Sequence, residues 1–177
     1  GEHVLVWAEA GQSVDRDSAA AFASRFDAHI YPESQRLWGE EASPGIDGDP
    51  RVYTLFVSDL DVGLLAYFSS QHSYPQAVAP GSSEHDLLVF NLDGTGPQLD
   101  TEQVLSVAAH ELQHMIRHTV DPNEAAWMDE GFSMFTERYL GYDNPLWLLR
   151  SFTDQPLTQL NAWPDARNMM PHYGASM

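Results

Sequence analysis

Over the first half of the chain apolar residues gather in short runs broken by turn chemistry, and beyond Gly96 they recur at helical spacing. Short bounded runs read as strands, while recurrence every three to four positions reads as one face of a helix. His3 to Ala8 is therefore expected to be a buried strand, followed by a polar turn at Gly11 to Asp15 and a helix over Ser18 to Trp38. Arg51 to Val57, Leu64 to Ser69 and Leu87 to Leu92 read as further strands, the last ending at an Asp93-Gly94 turn. The stretches Glu40 to Pro50 and Pro75 to Ser83 read as loops. Helices are expected over Thr101 to His118, Pro122 to Leu140 and Pro145 to Phe152. Met169 to Met177 reads as the start of another that stops at the terminus, as though more chain once followed.

Strands first and helices later, without repeats or a long linker, predict one α+β domain over residues 1–177, with a mixed N-terminal sheet and a helical C-terminal part. The length is enough for a real core, and 43% hydrophobic residues with five Trp describe a chain that folds.

Charge narrows the functions. Twenty-six acidic residues face eight basic ones, all of them Arg, for a net charge of -18. Such a field repels phosphate backbones and anionic lipid, so no nucleic acid and no membrane is expected as a partner. It attracts divalent cations, although its first use is to keep a secreted or salt-exposed protein soluble. With no cysteine, any transition-metal site must be built from His and carboxylates. No apolar run approaches the roughly 20 residues that span a bilayer, and Gly1-Glu2-His3 carries no signal-peptide pattern, so the chain reads as a processed or trimmed piece.

The chemistry concentrates on the Thr101 to His118 helix. Leu105, Ala108, Ala109, Leu112 and Ile116 form its core stripe, and Gln103, Val107, His110 and His114 share the other face. Two imidazoles four residues apart stand one turn above each other and can grip one ion. Glu111, about 100° around the helix from His110, is placed to reach water beside that ion rather than the ion itself. Zinc lowers the pKa of its water to about 7, and an adjacent carboxylate can take the proton.

The pattern H-E-x-x-H also arises by chance, so the third ligand matters more. His118 is about 12 Å along the axis from His110, too far for one straight helix to bring it to the same ion. The metzincin pattern needs Gly at 117 and His at 120, where this chain has Arg117 and Val120. A carboxylate from the next helix would complete a His₂Glu set with one open position. Of the acids there, Asp129 points about 100° away from Glu130, and Glu124 and Glu137 are expected to cap or solvate the helix. Glu130 is the choice.

Here the chain resembles the gluzincin peptidases, in which H-E-x-x-H is followed by a W-x-x-E-G helix, as in Trp127-Met128-Asp129-Glu130-Gly131. The runs Ala109 to Ile116, Asp121-Pro122-Asn123-Glu124 and Trp127 to Ser133 look most like the bacterial hyicolysin-type neutral metallopeptidases, with weaker likeness at Pro44 to Pro50 and at His172-Tyr173-Gly174. The resemblance implies a zincin-like fold, zinc on His110, His114 and Glu130, Glu111 as general base, Trp127 as scaffold, and His172 or Tyr173 as donor to the oxyanion. It implies a secreted bacterial endopeptidase acting on protein or peptide substrates. An aminopeptidase of the same class is disfavoured because a G-x-M-x-N element is missing. A metal-stabilised binding or adhesion module, or an inactive fragment, is the alternative from another class. Asp47, Asp49, Asp59 and Asp61 are a minority candidate for Ca²⁺, lacking EF-hand spacing, and the loop residues His72 and His85 read as solvated.

Overall fold

The computed structural model describes residues 1–143, 146–163 and 169–177. It is an α+β structure built on a small mixed sheet. Strands β1 (Val4–Ala8), β2 (Val52–Val57), β3 (Ala66–Phe68) and β4 (Leu87–Asn91) lie in the order β1-β2-β4-β3. The first three in that order are parallel, and β3 runs antiparallel to β4 at the far edge.

Every residue of β4 is buried, as a parallel strand flanked on both sides should be. Val52, Thr54 and Phe56 of β2 and Leu88 and Phe90 of β4 turn to the helical side, while Tyr53, Leu87 and Val89 form a smaller apolar layer on the other. The expectation of a buried first strand fails for β1. It has a neighbour on one side only, so Val4 is buried while Trp7 and Ala8 are exposed.

The helical run after β1 is not uniform. It comprises α1 (Arg16–Arg25), a π-helical turn at Phe26–Ile30 and α2 (Tyr31–Trp38). Asp15 caps its start by accepting from the Ser18 N–H at 2.7 Å. Pro32 explains the π turn, because proline offers no N–H to the carbonyl four residues back and its ring crowds that carbonyl. After β4 the Asp93-Gly94 turn is a single helical turn, α3 (Leu92–Thr95), capped by the Asn91 side chain and ended by Gly96 at φ +75°.

Helix α4 (Glu102–Val120) starts at the N-cap Thr101, whose hydroxyl accepts from the Val104 N–H. Its stripe of Leu105, Ala108, Ala109, Leu112 and Ile116 is fully buried against the sheet, the π turn and α2, joined by Val104 and Met115. Helix α5 (Ala126–Tyr139) begins only at Ala126 rather than Pro122. Asp121 closes a turn there, its side chain accepting from the Asn123 N–H and its carbonyl from the Glu124 N–H. Helices α6 (Leu146–Asp154) and α7 (Met170–Ser176) follow; the expected start of α6 at Pro145 lies outside the described residues. Gly174 lets α7 press onto α6, since a Cβ at that position would lie 2.1 Å from the Leu148 carbonyl oxygen. That contact sets where Tyr173 stands. Among the described residues no helix is long and apolar enough to cross a membrane.

Candidate metal centre

Helices α4 and α5 pack along a polar seam. On α4, Ser106, His110 and His114 recur every four residues and face α5, whose Glu130 and Glu137 are seven residues apart and therefore share a face. This seam brings His110, His114 and Glu130 together, with one ligand atom of each within 4.8 Å of the others. His110 Nε2 lies 3.3 Å and His114 Nε2 3.8 Å from Glu130 Oε2. Donors about 2.0–2.1 Å from a tetrahedral zinc ion would stand roughly 3.3 Å apart, so the spacing suits such an ion. Glu130 Oε2 is also buried without a hydrogen bond, an orphaned acceptor where a cation would be satisfied. Among the described residues, this is the group of His, Asp and Glu side chains close enough to hold one ion.

Both imidazoles are gripped from behind. His110 Nδ1 is 2.7 Å from Glu137 Oε1, and His114 Nδ1 is 2.9 Å from Asp129 Oδ2. Each ring therefore turns Nε2 toward Glu130. Contrary to the expectation from sequence, Glu137 neither caps nor solvates its helix. It is 9% exposed, and its second oxygen accepts from the Ser106 hydroxyl. Glu124 does leave the site: Arg117 donates to both of its oxygens, at 2.8 and 2.9 Å. Gln113 is completely buried, receives the Ser133 hydroxyl at its carbonyl oxygen and reaches Asp129 at 3.4 Å.

Electrostatics follow from this crowding of acids. Burial works against a charged His110, but the carboxylates of Glu130 and Glu137 beside it outweigh that and hold its pKa well above the ordinary value. Burial raises the Glu111 carboxyl, against the pull of both imidazoles. Desolvation would raise Asp129 too, yet the His114 contact leaves it lowered.

Glu111 is 7% exposed, and its Oε2 accepts the Phe68 N–H of β3 at 2.9 Å. The base candidate is thus tied to the edge strand beside the three-residue group. A cleft of about 500 Å³ opens on this side, lined by Leu65, Val107, His110, Glu111, Trp147 and Tyr173 among others. A second, more polar cleft of about 410 Å³ opens on the other, lined by Phe68, Ser69, His114, Arg117, His118 and Glu130 among others.

Tyr173 reaches the site. Burial, then the charge of Glu130 and a hydrogen bond to it, push its hydroxyl well above the usual range. His172 lines neither of these clefts; its ring packs on Trp163 at 5.6 Å. Trp127 lines a separate apolar cleft with Trp38, Phe132 and Phe135, away from the two imidazoles. His118 packs on Phe68 in the polar cleft and lies outside the three-residue group.

The carboxylates weighed for calcium do not converge. Asp47 accepts from the Tyr53 hydroxyl, Asp49 is held by Arg51, and the backbone N–H of Asp59 donates to Asp93. Neither loop histidine is simply solvated: His72 Nδ1 accepts from the Ser83 N–H, and His85 stacks on Tyr53.

Sequence reasoning missed Ser106, Gln113 and Ser133 as site residues and set Glu137 aside. Two left a signal, since Ser106 lies four residues before His110 and Glu137 seven after Glu130. Compared with known proteins, the chain matches no family model and no curated protein.

Proposed function

We propose that this chain is a zinc-dependent endopeptidase of zincin-like, gluzincin type, with His110, His114 and Glu130 as metal ligands and Glu111 as general base. The observation that carries the reading is the convergence of two Nε2 atoms from α4 and an orphaned carboxylate oxygen from α5, next to a buried glutamate that is not part of the group. Zinc bound there would supply a Lewis acid for the scissile carbonyl and a water acidified toward neutral pH.

The remaining work falls to the chain. Glu111, fixed by the Phe68 N–H and raised by burial, takes the proton of the attacking water and delivers it to the leaving amine as the scissile C–N bond breaks. Tyr173 keeps its proton at neutral pH and donates a hydrogen bond to the oxygen on which charge develops. Strand β3 lies at the sheet edge above Glu111, and an extended peptide adds to such an edge through backbone hydrogen bonds. The 500 Å³ cleft then receives a neighbouring side chain. A peptide running along an edge suits cleavage within a chain, and an acidic composition suits secretion.

Glu111→Gln tests the reading, because the amide still accepts the Phe68 N–H and leaves all three ligands in place. The expected result is one zinc per chain, with cleavage of an N-terminally blocked peptide reduced about 10²–10⁴-fold. Full activity in Glu111→Gln, or no zinc-dependent cleavage by the wild type, refutes it.

A further inference from the structure

Glu137 is buried in the seam between α4 and α5, where an acidic side chain is almost never found unless paired. A hydrophobic residue of similar size there would avoid the desolvation cost of a carboxylate. Both of its oxygens are engaged on α4, one with His110 Nδ1 at 2.7 Å and the other accepting from the Ser106 hydroxyl. It is not in the group able to hold an ion.

The consequence lies in the His110 ring. Metal binding requires the neutral imidazole, which has one N–H and one lone pair. With Nδ1–H donated to Glu137, the lone pair is on Nε2, the atom facing Glu130 at 3.3 Å. Ser106 in turn fixes the Glu137 rotamer, so a buried Ser106-Glu137-His110 relay sets both tautomer and direction. His114 has its own anchors, Asp129 at 2.9 Å and the Ser133 hydroxyl within 3.3 Å of its ring nitrogens.

We propose that Glu137, held by Ser106, is a positioning residue that presents His110 Nε2 for metal capture. This rests on the metal-site reading above. Partners of this kind, behind a histidine ligand, typically change metal affinity 10–100-fold when removed.

The test is zinc affinity measured by competition with a fluorescent chelator, alongside zinc content and the melting temperature of the metal-free protein. Glu137→Ala is expected to bind zinc roughly 10–100-fold more weakly than wild type. Glu137→Gln, which keeps an acceptor for Nδ1–H, should recover part of that affinity, and Ser106→Ala should weaken it in the same direction. If Glu137→Ala does not fold, the Gln and Ser106 variants decide the matter. Unchanged affinity in both, or a fall in metal-free melting with affinity intact, overturns the role of Glu137 while leaving the metal site standing. A wild-type chain that takes up no zinc overturns the metal site and this proposal with it.

Discussion

A metal held by His110, His114 and Glu130 joins two helices, so it binds the folded chain and finds no such site in the unfolded one. Folding stability must then rise with free zinc. At 100-fold excess over the dissociation constant the gain is about 2.7 kcal/mol. For a chain of this length each kcal/mol moves the melting temperature by about 2–4 °C. The expected shift between chelator-treated and zinc-loaded protein is thus about 5–11 °C. Circular dichroism melts at several zinc concentrations give the measurement, with calcium and magnesium as comparison ions. Hard cations prefer more oxygen ligands than one carboxylate supplies beside two imidazoles, and should shift the curve far less. Glu130→Gln keeps the shape of the side chain and removes its charge, so the shift should shrink sharply; melting of the metal-free variant accounts for any change in the fold itself. Identical melting of wild type with zinc and with chelator would refute the reasoning. So would an undiminished shift in a His110→Ala, His114→Ala double variant.

Two further outcomes follow from the geometry. Tyr173→Phe is expected to lower turnover about 10²–10³-fold with zinc content unchanged, while His172→Ala leaves turnover near wild type; the reverse ranking in steady-state kinetics would exchange their roles. Asp86 offers a pH test away from the site. Burial raises its carboxyl, against the Ser73 hydroxyl it accepts. Its folded-state pKa therefore lies above the unfolded one, so its favourable contribution is complete below the ordinary carboxylate range and is lost as pH rises through the raised value. Asp86→Asn carries no such loss. Its stability relative to wild type should increase from pH 4 to pH 7 in urea denaturation, and parallel pH profiles for the two proteins would contradict this.

The sequence alone determined the local patterns: four strands, the long helix with its core stripe, and two imidazoles one turn apart beside a glutamate. These depend on spacing within single elements, where periods of two and 3.6 leave a direct trace. Asp121 at the turn before α5 and Pro32 behind the π turn also act locally, and their effects were open to reading from the residues themselves. Tertiary structure decided whatever needed two elements to meet. That β1 is an edge strand depends on sheet order, which no single strand encodes. Glu137 reads from sequence as one more acid on a helix, and only the packing of α5 on α4 buries it against Ser106 and His110. The same packing separates the acids of α5 and of the turn before it, giving Glu130 a place between the imidazoles, Asp129 a place behind one of them, and leaving Glu124 to Arg117. Spacing along a chain fixes angles about one helix axis, but the distance between side chains on different helices exists only once their apolar faces have been buried.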